Sequence, residues 1–177
     1  MFPGIQTGST PTFAETVREH QSLVYSIGLH FLRDGALAEE LAQDVFLLLY
    51  RNWASMESGA HVKNWLRRTM TQRCIDHSRR AKLRPRLGLD AAPERAAPAF
   101  EPDPLLRDRL DLLIARLPER ARAIVILRYQ EDLEPAEIAG ILSLSIGSVK
   151  SSLHRSLVWL RGRMETHARF ERTGVTK

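Results

Sequence analysis

Apolar positions recur at helical spacing along most of the chain. Phe13, Val17, Leu23, Val24, Ile27 and Phe31 give a first helix, opened by Thr12 and Glu15 in a capping-box pattern after a loose polar lead at residues 1–11. Asp34 and Gly35 break it, and Asp34 can cap a second helix from about Ala36 to Trp53 with Leu37, Leu41, Val45, Leu49 and Trp53 as its buried stripe. Residues 54–60 form a loop. A third helix from about His61 to Lys82 turns Val62, Trp65, Leu66, Met70 and Ile75 inward. From Leu83 to Asp103 the pattern stops. Pro85, Pro93, Pro98 and Pro102 stand there among alanines; each lacks an amide donor and disfavours helix, so a flexible linker is expected. Asp103 then caps a helix with Pro104 in its first turn and Leu105, Leu106, Leu110, Leu113, Ile114 and Leu117 along it. Pro118 starts another, with Ala121, Ile124, Val125 and Leu127 inward.

The stretch from Glu134 to Arg161 has its own pattern. A short helix can start at Pro135 and run to about Leu142, Ser143-Leu144-Ser145 make a turn, and Ser145 can cap a last helix. On that helix Val149, Leu153, Leu157 and Leu160 share one face, while Lys150, Ser151, His154 and Arg155 lie away from it. A helix-turn-helix that reads the DNA major groove fits this pattern; so does an ordinary helical hairpin with a solvated charged face. The expected fold is therefore all-α: two small helical domains joined by a flexible Pro/Ala-rich linker, the second ending in a helix-turn-helix. The boundaries are 1–82 for the first domain, 83–103 for the linker, 104–163 for the second domain and 164–177 for a polar tail that frays.

Composition narrows the partners. The 177 residues carry 26 Lys and Arg against 21 Asp and Glu, a net charge of +5, which favours a polyanion. The single cysteine, Cys74, excludes an intramolecular disulfide and fits a reducing cytoplasm. The start has no basic region followed by an apolar core, and no apolar run is long enough to span a bilayer, so neither a secretory signal nor membrane insertion is expected.

The charge is unevenly placed. The second helix carries Glu39, Glu40, Gln43 and Asp44 with Phe46 and Leu47 beside them, an acidic patch in a basic protein. It reads as a solvated face, or as a docking surface in which apolar area gives affinity and charge gives register. The third helix carries Lys63, Arg67, Arg68, Arg73, Arg79, Arg80 and Lys82, interleaved with Asn64, Gln72 and Asp76. Basic groups neutralise phosphates, and amide and aromatic groups can contact exposed bases. Catalytic signals are missing from the sequence. It has no glycine-rich phosphate loop and no nucleophile elbow, and Cys74 with His77 supplies only two of the four ligands a zinc site needs. No cofactor, metal or enzymatic activity is expected.

Three motifs together resemble the extracytoplasmic-function sigma factors of bacterial RNA polymerase, over about Phe13 to Arg163. ALAEELAQDVFLLLY at 36–50 is similar to the family's polymerase-binding helix, WLRRTMTQRCIDHSRR at 65–80 to its −10 promoter-reading helix, and LPERARAIVILRYQEDLEPAEIAGILSLSIGSVKSSLHRS at 117–156 to its −35-reading domain. The resemblance implies that the first domain is sigma region 2 and the second sigma region 4. It implies that Glu40, Gln43, Asp44, Phe46 and Leu47 bind the clamp helices of the polymerase largest subunit, with a further contact at the flap region. Lys63, Asn64, Trp65, Arg67, Arg68, Gln72, Arg73, Asp76, Arg79 and Arg80 would hold the separated −10 strand, and Ser148, Lys150, Ser151, His154 and Arg155 would read the −35 duplex. It also implies an anti-sigma partner. The chain departs from the family at Ser152, where many members have arginine, and at Ser143, where glycine is frequent. Two rival functions are a DNA-binding regulator that never joins polymerase, against which the acidic helix argues, and a nucleic-acid enzyme, which would need a metal or nucleophile cluster.

Overall fold

The computed structural model describes the backbone of residues 11–83 and 104–173, and side chains at 11–83 and 109–165. The expected linker at 83–103 lies outside the described residues except for Leu83, and the last four residues lie outside as well. Among the described residues every regular element is a helix: α1 Phe13–Leu32, α2 Gly35–Arg51, a 3-10 turn Trp53–Ser55, α3 Gly59–Leu83, α4 Pro104–Arg116, α5 Glu119–Tyr129, α6 Pro135–Leu142 and α7 Ile146–Thr173.

The helix ends follow from local chemistry. Thr12 Oγ1 accepts from the Glu15 amide, and the Glu15 carboxylate accepts from the Thr12 amide at 2.8 Å, closing the capping box of α1. That carboxyl is held below its ordinary value by the Thr12 backbone and side-chain hydrogen bonds. Asp34 Oδ1 accepts from the Leu37 amide at 3.0 Å and starts α2. The stop between them is Arg33, in the left-handed region at φ 59, ahead of the Asp34 and Gly35 breakers that the sequence offers.

α1, α2 and α3 form the first unit. Val24, Ile27 and Phe31 of α1, Leu41, Val45 and Leu49 of α2, and Val62, Leu66, Met70, Cys74 and Ile75 of α3 make its core. Gly28 lets the helices approach closely: a Cβ there would strike the Met70 side chain and press on Ala38. α4 to α7 form the second unit around Leu113, Leu117, Ile124, Val125, Leu127, Ile138, Ile141, Val149, Leu153 and Leu160. Leu157 departs from its expected face: it is 36% exposed, and Ser156 is buried in its place. The packed positions 149, 153, 156 and 160 step by four, three and four, close to the 3.6-residue period, and Leu157 falls one residue outside that row.

Two further features concern the end of the chain and the relation of the units. The expected tail from Met164 continues α7 as helix to Thr173, over a sequence without glycine or proline. And the two units pack against each other. Ala123 and Ile126 of α5 belong to the first unit's core, so α5 is buried on opposite sides by two sets of partners.

Candidate nucleic-acid and polymerase interfaces

On α2, Glu40, Gln43, Asp44 and Leu47 project into solvent, and Phe46 is half-buried against the core. Leu47 is 58% and Tyr50 64% exposed, and Phe13 packs edge-on to Tyr50 at 5.1 Å. The helix thus offers carboxylates, an amide and apolar area on one accessible side, because Leu41, Val45 and Leu49 commit the opposite side to the core.

Next to this face runs α3. Glu40, Leu41 and Asp44 of α2 and Trp65, Arg68, Gln72, Arg73, Asp76, His77 and Arg80 of α3 line one open groove. Gln72 donates to Asp76 at 2.9 Å, which fixes the amide along the groove. Arg80, which lines the groove, and Arg79, which does not, are both exposed. Lys63 and Asn64 are exposed near the start of α3, and Trp65 packs its ring partly on the core.

Arg67 stands apart from the other basic positions. It is buried, 8% exposed, and its Nε and Nη2 donate to Glu131 Oε2 of the second unit at 3.3 and 3.2 Å. Burial pushes the Glu131 carboxyl above its ordinary value, and the positive charges of Arg67 and Lys63 only partly oppose this. Arg68 donates to Ser143 Oγ, also of the second unit, at 3.0 Å. Lys82 pairs with Glu119, and this hydrogen bond holds the Glu119 carboxyl below its ordinary value. Arg122 of α5 donates to the carbonyls of Phe31, Ala115 and Leu117 and lies 4.9 Å from the Phe31 ring centroid. These contacts between units carry no local sequence signal, since the paired positions are 64 or more residues apart for Arg67–Glu131, Arg68–Ser143 and Arg122–Phe31.

The second unit presents a helix-turn-helix. Glu134 donates its amide to the Glu137 carboxylate at 2.8 Å and starts α6. Ser143 ends α6 at φ 54, ψ 50, and the Leu144 amide reaches back to the Ala139 carbonyl at 2.9 Å, a Schellman-type stop. Ser145 Oγ then accepts from the Ser148 amide at 3.1 Å and opens α7. Val149 and Leu153 are buried under α6 and α5, which leaves Ser148, Lys150, Ser151, His154 and Arg155 exposed together on the first turns of α7. Ser152 is half-buried beside them.

Cys74 is fully buried, and desolvation pushes its thiol up to about 12, so it behaves as an inert core residue. Among the described residues no group of three or more His, Cys, Asp and Glu side chains is placed to hold a metal ion. Among the same residues no helix is long and apolar enough to cross a membrane.

The Sigma-70 region 2 family matches residues 16–84, and the Sigma-70 region 4 family matches residues 107–160. The chain is 31% identical over 161 residues to the RNA polymerase sigma-E factor of Streptomyces coelicolor, covering 87% of this chain and 86% of that one. It is 28% identical over 176 residues to the ECF RNA polymerase sigma factor SigW of Bacillus subtilis, covering 89% and 91%. Among solved structures, the sigma factor RpoE of Bartonella quintana, determined with the anti-sigma factor NepR, shares the fold at a TM-score of 0.71 and 17% identity, over 86% of this chain and 96% of that one. The chain belongs to the extracytoplasmic-function family of sigma factors, the subunits that direct bacterial RNA polymerase to promoters.

Proposed function

We propose that the three exposed surfaces divide the work of promoter recognition. The α2 face of Glu40, Gln43, Asp44, Phe46 and Leu47 docks on the clamp helices of the polymerase largest subunit, and the second unit meets the flap region. The groove and basic face of α3, from Lys63 to Arg80, take the separated −10 strand. The first turns of α7 enter the −35 major groove. The observation that carries this reading is the outward cluster of Ser148, Lys150, Ser151, His154 and Arg155 on a capped helix, in one chain with an acidic, apolar-edged α2. Because RpoE of Bartonella quintana was determined with an anti-sigma factor, such a partner is part of the proposal here too. The chain acts in the cytoplasm, where polymerase is, and needs no cofactor and no catalysis of its own.

The test is competition for core polymerase. Asp44→Arg puts positive charge where the clamp requires negative charge, and it should weaken core binding while circular dichroism stays near that of the parent, since an exposed change costs little stability. A variant that competes as well as the parent would overturn the docking assignment. A parent chain that never co-purifies with core would favour a regulator that acts on DNA alone.

A further inference from the structure

One large apolar side chain stands at the tip of α7, where packing gives it no task. Ile146 is the first residue of α7 and is 46% exposed. Its neighbours are small: Ser145, Gly147 and Ser148. A Cβ on Gly147 would meet nothing within 4 Å, so the backbone there borders open space. The two serine hydroxyls engage each other. Ser145 Oγ accepts from the Ser148 amide at 3.1 Å and lies 2.8 Å from Ser148 Oγ. Ile146 is left as the one side chain of residues 145–148 that is larger than serine.

Neither capping nor the core accounts for it. At a capped helix start the residue before the cap packs on the fourth helical residue, and Leu144 and Val149 hold those two places in the second unit's core. Helix propensity does not favour Ile146 either, since a β-branched side chain loses freedom in a helix. Its place relative to the outward cluster is specific. Ile146, Lys150 and His154 follow at four-residue spacing, so they are surface neighbours, and all three are exposed.

We propose that Ile146 is a specificity-determining residue whose side chain packs on the C5-methyl group of a thymine in the −35 major groove. This rests on the reading of α7 as the −35 helix. The N-terminal residues of a recognition helix are the ones that contact base edges. Those edges offer donors, acceptors and one apolar group, the thymine methyl. Isoleucine can bond none of the polar groups. Pressed against one, it would strip its water and return no hydrogen bond, whereas on the methyl it gains apolar contact. The register follows from geometry. Four residues of α-helix rise about 6 Å and successive bases lie about 3.4 Å apart, so the thymine falls within about two base pairs of the pair that Lys150 reads. The contact is apolar, so its contribution is insensitive to salt, unlike a phosphate contact.

The test uses core polymerase joined by the full chain, bound to duplexes that carry its preferred −35 sequence. Each thymine in turn is replaced by deoxyuridine, which removes the methyl and keeps every hydrogen-bonding group. At one position binding should fall about fourfold, the factor that burying one methyl group contributes, and by the same factor at low and high salt. With cytosine placed at that position, 5-methylcytosine should bind about fourfold better than cytosine. Ile146→Ala should bind the thymine and deoxyuridine duplexes alike, and Ile146→Val should keep the discrimination. Circular dichroism checks that Ile146→Ala is folded; if it is not, the parent and Ile146→Val series decide. A parent that binds every deoxyuridine duplex as well as the thymine one would overturn the assignment. So would a preferred site with no thymine within two base pairs of the Lys150 pair, or a folded Ile146→Ala that still discriminates. A −35 preference that Lys150→Ala relaxes, without methyl discrimination, sinks this inference alone; a holoenzyme with no −35 preference sinks the α7 reading with it.

Discussion

Arg122→Ala is the sharpest probe of how the two units are held. The guanidinium is buried, and it donates to Phe31 in the last turn of α1 at 3.1 Å, to Ala115 in the last turn of α4, and to Leu117 just beyond it at 3.4 Å. These are carbonyls that a helix end leaves without an internal partner, and a cation there also meets the negative end of the helix dipole. Burial pulls the Arg122 guanidinium below its ordinary value, with Glu119 and Cys74 acting the other way, so the charge carries a desolvation cost. Hydrogen bonds from a charged donor contribute about 1.5–3 kcal/mol each, and a desolvated cation over a ring up to about 2 kcal/mol. Non-additivity and desolvation reduce that total, and the groups left behind are neutral carbonyls, so a loss of about 2–4 kcal/mol is expected for Arg122→Ala. Arg122→Met keeps most of the packing and removes the desolvation but strands the carbonyls, so about 1–3 kcal/mol is expected. Urea unfolding followed by far-ultraviolet circular dichroism gives both values. A double-mutant cycle with Phe31→Leu should return a coupling of about 0.5–2 kcal/mol from the ring contact. An Arg122→Ala loss below about 1 kcal/mol would refute the claim that this residue ties helix ends together.

Ser143→Gly should raise stability by about 1 kcal/mol in the same assay, because a left-handed φ of 54 strains serine and not glycine; a loss would mean that the Arg68 hydrogen bond outweighs the strain. Lys150→Ala should cost about 1–3 kcal/mol on the preferred −35 site and relax one base pair, while Arg155→Ala should weaken all sites alike and lower the salt slope by roughly one; holoenzyme binding to −35 variants at several salt concentrations would expose reversed roles. The glutamates at the junction give opposite pH responses. Glu119 is lowered by Lys82, so its contribution is present above the ordinary value of 4.5 and is lost as pH falls through its lowered range. Glu131 is raised by burial, so its contribution grows as pH falls from its raised range to 4.5, and Glu131→Gln should flatten the stability curve in that window only.

The helices were legible because their signals are local. Thr12 with Glu15, Asp34, Pro135 and Ser145 each mark a start within a few residues of where it occurs, and the stripes of α2 and α3 follow directly from spacing. The outward α7 cluster was legible for the same reason: once Val149 and Leu153 are committed inward, Lys150, Ser151, His154 and Arg155 must face away. Leu157 misled because hydrophobicity alone placed it in the stripe, while the helical period favoured Ser156. The junction between the units depends on contacts distant in sequence. Its one sequence sign was α5 itself, where Ala123 to Leu127 are apolar without a break and all buried, the mark of a helix enclosed from both sides. Arg67 looks like its neighbours on α3 in sequence, and only the fold separates it from them by setting Glu131 against it.

Promoter choice by this chain is read out by sequencing transcripts made in vitro. Core polymerase, the full chain and a genomic or random promoter library are combined, and the start sites are mapped. Transcripts should begin a fixed distance downstream of a paired −35 and −10 sequence. Lys150→Ala should relax the −35 preference, and Asp44→Arg should reduce the whole set. Start sites that are the same with and without the chain would contradict the claim.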